Sequence, residues 1–226
     1  MDPKVLVRPR FVLTLLTTAC LAIPLSGWAY ILPQLLQAPD MPKTPYGHGL
    51  SAWEVALWQG LPQGVGSILA GIGGGYLARR YGTRLVILLG GIFFALPCFI
   101  LAMQLDSAGA GTIRSCAFLL GVGTGFFMGS TQNMIADAVP ADKQGVSGAM
   151  NTTIQSIFGG VATAVLASVL TANVAMSTAK FQLFTESGYK TALLICGFVA
   201  LGAVVIGVLR RDGREPATGG VISGVH

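Results

Sequence analysis

Charged side chains are scarce in this sequence of 226 residues: Asp, Glu, Lys and Arg make up 10% of it, whereas hydrophobic residues make up 53%. A soluble domain carries about 25% charged residues, so the composition excludes an ordinary soluble protein and a disordered chain. The chain has only 14 Lys and Arg residues, and they lie between apolar runs. This distribution indicates contact with a lipid bilayer and argues against a nucleic acid partner.

Histidine and paired cysteine motifs are also missing. The two histidines are His48 and His226, and the four cysteines form no Cys-x-x-Cys pair. Metal centres need several His or Cys ligands, and hydrolase triads need a histidine near the nucleophile. The sequence also contains no Gly-x-x-x-x-Gly-Lys phosphate loop. We therefore expect no enzyme activity, no metal and no cofactor, and we interpret the cysteines as small core residues.

Six stretches of the chain contain no Asp, Glu, Lys or Arg. They span residues 11–39, 55–78, 85–105, 115–136, 144–179 and 191–209. A helix of about 20 residues crosses the hydrocarbon core, and backbone amides in lipid must be paired within the segment. The predicted fold class is therefore an all-α polytopic integral membrane protein with six transmembrane helices. Their predicted bounds are about 11–35, 53–78, 85–105, 114–137, 146–173 and 190–209, between an N-terminal segment, 1–10, and a disordered tail, 210–226.

The positive charges predict the orientation of these helices. If the N-terminus is cytoplasmic, four Lys and Arg residues lie in outer segments: Lys43, Arg114, Lys180 and Lys190. The other ten lie in inner segments, which agrees with the positive-inside rule. We therefore expect a multi-pass protein of the cell membrane with both termini in the cytoplasm. Two outer connections are long, at about 36–51 and 174–189.

Uncharged polar side chains recur at helical spacing inside the predicted spans. The stripes are Ser26, Tyr30 and Gln34; Gln59, Gln63 and Ser67; Ser147, Asn151 and Gln155; and, on the fourth span, Gln132 and Asn133. One such stripe either joins helices by hydrogen bonds or lines a cavity, and both interpretations stay open for it. Four stripes together favour a shared cavity. The predicted cavity residues are Trp28, Tyr30, Gln34, Trp58, Gln59, Gln63, Asn151 and Gln155.

Glycines and the two acids nearest the spans have local interpretations. Gly121, Gly125 and Gly129 on the fourth span, and Gly71 and Gly75 on the second, form ridges that allow two helices to approach closely. Glu54 follows Ser51 by three residues, which predicts a capping box at the start of the second span. Asp137, at the inner end of the fourth span, is predicted to make a contact at the membrane interface.

The segment GGGYLARRYGTR, residues 73–84, resembles the loop signature of the major facilitator superfamily, Gly-x-x-x-Asp-Arg-x-Gly-Arg-Arg. Gly75, Arg80, Gly82 and Arg84 match it, and Arg79 stands at the Asp position. The stretches GLSAWEVALWQGLPQGVGS and ADKQGVSGAMNTTIQSIFGGVATAVLASVL are similar to the eighth and penultimate helices of drug:proton antiporters of the fourteen-span branch. The resemblance covers nearly all of residues 10–210 and concerns the C-terminal six helices only.

The resemblance implies half of a carrier in which two six-helix bundles rock about a central site. The cavity residues above would then contact a small lipophilic or cationic substrate during efflux. Gly75, Arg80, Gly82 and Arg84 would form the cytoplasmic gate loop, with Gly75 allowing close helix approach and Gly82 needing φ > 0. A second six-helix half, or self-association, would complete the assembly. Two alternatives stay open: a non-transporting membrane remnant or partner-binding subunit, and a homodimeric six-span carrier.

Overall fold

The computed structural model describes residues 9–39, 46–138, 144–178 and 181–209, and this part of the chain is mainly helical. The α-helices are α1 (Pro9–Gln37), α2 (Ala52–Val55), α3 (Leu61–Tyr81), α4 (Thr83–Met103), α5 (Ala110–Ala138), α6 (Gln144–Thr171) and α7 (Glu186–Leu209). A π-helical turn, Ala56–Gly60, joins α2 to α3, so the predicted second span is one helix with an irregular first part. A 3-10 turn, Leu105–Ser107, follows α4. The predicted N-terminal segment, apart from its last two residues, and the predicted tail lie outside the described residues.

Among the described residues, five helices are long and apolar enough to cross a membrane: Val12–Gln37, Thr83–Met103, Ala110–Thr131, Gln144–Thr171 and Glu186–Val208. They confirm the all-α, multi-pass fold class. The predicted second span is helical but is not among these five. Helix α3 contains six glycines, which make it less apolar than its neighbours. Its place as a sixth span, and the predicted span bounds, therefore stay predictions.

A β-hairpin occupies the connection between α6 and α7, which we predicted only as a long outer segment. Strand β1 (Val174–Thr178) pairs antiparallel with β2 (Phe181–Phe184), and Val174 lies opposite Phe184. β-Branched and aromatic residues favour strands, so the sequence contained a signal for this element. The hairpin places Leu183 and Phe184 against the start of α7.

The core lies mainly between α1, α4, α5 and α7. Phe94 of α4 and Phe127 of α5 are fully buried and meet edge to face, with ring centroids 6.4 Å apart. Cys98, Cys116 and Cys196 are buried free thiols within this cluster. The interpretation of these three cysteines as core residues is confirmed.

Glycines allow α3 and α5 to approach closely, as the ridge on α5 predicted. A Cβ atom at Gly121 would collide with the carbonyl oxygen of Gln63, and one at Gly125 would lie 2.6 Å from the Gly71 nitrogen. The Cβ position of Gly75 itself is open, but its backbone nitrogen lies 3.9 Å from the Cβ position of Gly129 on α5. On α3 the contact is made by Gly71 and also by Gly66 and Gly74, whose Cβ positions face Phe118 and Phe126 of α5.

Candidate functional site

The polar stripe of α1 faces two different environments. Ser26 packs against α6, since a Cβ atom at Gly159 would lie 2.5 Å from the Ser26 hydroxyl oxygen. Tyr30 is half-buried against the core. Gln34 lines a cavity of about 410 Å³ at the end of α1. The same stripe therefore packs against another helix at Ser26 and lines a cavity at Gln34.

Two predicted cavity residues are packed inside the bundle. Asn151 of α6 is 1% exposed, and its side-chain oxygen accepts a hydrogen bond of 2.8 Å from the Thr18 hydroxyl of α1. Ser147, one turn earlier, is also buried. Trp28 is 1% exposed and belongs to the core cluster. In this arrangement Trp28 and Asn151 pack against other helices of the bundle, and their assignment to a cavity wall stays a prediction.

Trp58 lies between two basic side chains at the predicted outer end. The His48 ring meets it edge to face at 5.7 Å, and the Arg114 guanidinium carbon lies 5.0 Å from its ring centroid. The His48 nitrogens lie 3.1 Å and 3.0 Å from the carbonyl oxygens of Tyr46 and Ala108. Sequence analysis did not group these residues, because Arg114 is far from Trp58 along the chain. The Trp58 side chain is half-buried, so part of its surface remains exposed.

Gln59 is buried in the π-helical turn, with 8% of its surface exposed. Its side-chain oxygen and the indole nitrogen of Trp28 are the two buried side-chain atoms without a hydrogen-bond partner in the described part of the chain. Such atoms are costly in an apolar interior, and π turns are frequent at functional sites. Gln63 and Gln155 are half-buried, so both remain candidates for a cavity wall.

The acid at the start of α2 has the local role predicted for it. The Glu54 carboxylate accepts a 2.8 Å hydrogen bond from the Ser51 backbone nitrogen, and the Glu54 nitrogen donates to the Ser51 hydroxyl at 3.4 Å. These bonds form a capping box, which confirms the prediction. The side chains of Asp137, Gln132 and Asn133 lie outside the described part of the structure.

Gly82 alone connects α3 to α4, and its backbone has φ 88° and ψ 158°. This region is accessible almost only to glycine, so the predicted positive φ is confirmed. The Gly82 nitrogen donates to the Ala78 carbonyl at 3.0 Å and closes the last turn of α3. The sharp turn therefore depends on the missing side chain at this position.

The two matching arginines of the predicted gate loop have different contacts. The Arg84 Nε and Nη2 atoms donate to the carbonyl oxygens of Gly207 and Val208, at 3.0 Å and 2.5 Å. Arg84 thus caps the last carbonyls of α7, a contact the sequence did not reveal because 123 residues separate the partners. Arg80 is exposed and donates to the Tyr76 hydroxyl at 3.3 Å.

The predicted cavity residues do not converge on one enclosed site in this chain. Gln34 faces the cavity at the end of α1, Trp58 lies in the His48 and Arg114 cluster, and Asn151 faces Thr18. No group of three His, Cys, Asp or Glu side chains among the described residues is arranged to hold a metal ion. The chemistry available is hydrogen bonding and apolar contact.

Comparison with known proteins identifies the fold. Residues 14–224 match the family model described as Major Facilitator Superfamily. Two crystal structures of the peptide transporter POT, one with sulfate and one with alafosfalin, are similar with TM-scores of 0.68 and 0.69 at 17% identity. They match 92% and 93% of this chain, and this chain covers 39% and 40% of theirs.

The E. coli fucose:proton symporter FucP is similar with a TM-score of 0.68 at 16% identity, over 89% of this chain and 48% of that one. The chain therefore spans less than half the length of these solved structures. No curated protein matches the sequence.

Proposed function

The chain belongs to the major facilitator superfamily, and on this premise we propose that it forms the C-terminal six-helix half of an alternating-access exporter. The substrate would be a small lipophilic or cationic molecule that crosses the membrane between this bundle and a second six-helix half. The proposal includes cytoplasmic termini in the cell membrane, as the distribution of Lys and Arg predicts.

The observation that supports a second half most directly is the unpartnered face of α6. Only 22% of the residues in its most apolar segment are buried, whereas 39% to 56% are buried in the corresponding segments of the other four spans. The exposed side carries small residues, Thr152, Thr153, Ser156, Gly160 and Ser168, beside the exposed apolar side chains Ile157, Val161 and Val165. The Thr153 and Ser156 hydroxyls donate hydrogen bonds back to carbonyl oxygens of their own helix, at 2.9 Å and 3.0 Å. Small residues of this kind are typical of helix contacts in membranes.

Helix α3 presents a second open face, on which three glycines lie beside the exposed Ile68. The Cβ positions of Gly64, Gly71 and Gly75 have no neighbouring atom within 4 Å. A helix meant only for lipid would gain nothing from such glycines, since leucine is a better helix former and is more apolar. We therefore propose that the faces of α3 and α6 together contact the second half.

The proposed substrate path runs along this contact, from the gate loop at Gly82 toward the outer end of the bundle. Gln63 and Gln155 lie on the two open helices and are half-buried, so a second bundle would enclose them. Among the described acidic side chains of the α-helices, Glu54 is bound in its capping box and Glu186 is paired with Lys190, each at a helix end. We therefore propose that the group that couples protons belongs to the second half.

Spin labels can test the proposed interface in native membranes. A nitroxide at Ser156→Cys should be shielded from oxygen dissolved in lipid, because another bundle covers α6. The matched control is Val205→Cys on α7, which is also exposed in this chain and should face lipid. Equal oxygen accessibility at both positions would contradict the proposal. Shielding that persists in the purified chain alone would instead show self-association, as in a homodimeric carrier.

A further inference from the structure

The cavity of about 410 Å³ has a size that suits a small organic molecule. It lies between the last turn of α1 and the first turn of α7, beside the end of β2. Its lining includes the amide side chains Gln34 and Gln37, the apolar side chains Pro33 and Leu183, and the phenol Tyr189. Gln34 and Gln37 are three residues apart on one helix, so their side chains project from the same side of α1.

One wall of this cavity is fixed by packed aromatic rings. Tyr189 is 2% exposed and lies 5.5 Å from the Tyr46 ring and 6.0 Å from the Phe184 ring. The Tyr46 hydroxyl donates a hydrogen bond to the Phe184 carbonyl oxygen. Burial, and next the nearby Glu186 carboxylate, raises the pKa of Tyr46, which keeps the phenol protonated as this donor. The wall is therefore formed by the fold itself.

The backbone at the end of α1 is already paired. The Leu50 nitrogen donates to the Leu36 carbonyl at 3.0 Å, and the Gly49 nitrogen donates to the Ala38 carbonyl at 2.8 Å. The loop at Gly47 lies so close that a Cβ atom there would be 2.6 Å from the Pro39 carbonyl oxygen. The side-chain amides of Gln34 and Gln37 can therefore form hydrogen bonds with a molecule bound at this end of α1.

Among the described residues that line the cavity, none is charged. A side-chain amide donates and accepts hydrogen bonds, whereas proline and leucine offer only apolar contact. We propose that this cavity binds an uncharged amphiphile, with an apolar body and an amide or hydroxyl group that exchanges hydrogen bonds with Gln34 and Gln37. This inference rests on the proposed function for its role, as an outer binding site beside the substrate path, and it narrows the proposed lipophilic or cationic substrates to neutral lipophilic molecules.

Binding can be measured without transport, on the purified full chain in phosphatidylcholine nanodiscs. Equilibrium dialysis compares three probes of similar bulk: neutral benzanilide, cationic benzyltriethylammonium and anionic 4-phenylbenzoate. Benzanilide should bind saturably and the two ions should not. Gln34→Leu should weaken benzanilide binding about tenfold, through one or two lost hydrogen bonds. The matched control Gln104→Leu, at the exposed end of α4, should leave it unchanged.

Two cysteine variants locate the site, and a third variant tests the charge argument. Gln37→Cys should react with a maleimide more slowly when benzanilide is present, whereas the reaction of Ser107→Cys should not be slowed. Gln34→Glu keeps the shape and adds a negative charge, so it should gain binding of benzyltriethylammonium. The proposal is overturned by tight binding of the cation to the unaltered chain, by full benzanilide affinity in Gln34→Leu, or by no saturable benzanilide binding. A failure of the proposed second-half interface would leave these binding results unchanged, so the two proposals fail separately.

Discussion

Replacing Gly82 with valine tests how the turn between α3 and α4 is held. The backbone at this residue, φ 88° and ψ 158°, lies in a region that residues with a Cβ atom rarely enter. Such a conformation costs about 1–3 kcal/mol for a non-glycine residue, and a β-branched side chain is at the upper end of that range. Since one residue makes the whole connection, the strain cannot spread along a loop.

The assay is thermal unfolding of purified Gly82→Val. The fraction of protein that remains folded after heating is measured by its elution in size-exclusion chromatography. For a chain of this size about 2–4 °C of Tm corresponds to 1 kcal/mol, so a cost of about 3 kcal/mol should lower the Tm by roughly 6–12 °C. Gly73→Ala is the matched control, because its Cβ position is open and alanine favours a helix by about 0.5–1 kcal/mol. In a full assembly Gly82→Val should still insert but export should fall. An unchanged Tm in Gly82→Val would refute the reasoning.

Three other predictions follow from the same structure. In a cysteine-free background, Tyr81→Cys should react with an impermeant thiol reagent only in inverted vesicles, and Ser107→Cys only in intact cells; the reverse pattern would overturn the proposed orientation. Gly125→Leu should destabilise the bundle by about 1–3 kcal/mol, because α3 already touches this position, and wild-type thermal stability would contradict the close contact. The chain alone in liposomes with a pH gradient should not export a lipophilic cation; gradient-dependent efflux that survives both Glu54→Gln and Asp137→Asn would show that a second half is unnecessary.

Local features were predictable where neighbours along the chain make the contact. The capping box of Ser51 and Glu54 involves residues three apart, and the turn at Gly82 follows from the junction of two helices. The glycine ridge of α5 was also found, because residues four apart lie on one helix face. The full set of α3 glycines that contact this ridge could not be predicted, because the spacing of the ridge does not determine which residues of another helix lie against it.

Long-range contacts decided the site. A polar stripe looks the same whether it faces a cavity or another helix, and only the packing shows that Asn151 bonds to Thr18 while Gln34 faces a cavity. The cap that Arg84 places on α7 joins residues 123 apart, and no spacing rule reaches that far.

The sequence by itself determined that this protein is a helical, multi-pass membrane protein, because lipid requires long uncharged helices whose backbone bonds are internal. It also determined the gate-loop turn, because only glycine adopts the backbone conformation needed there. The tertiary structure decided which polar residues are packing residues and which line a cavity. That choice depends on the rotation of each helix about its axis, and helix rotation is set by side chains on other helices that the local sequence does not contain.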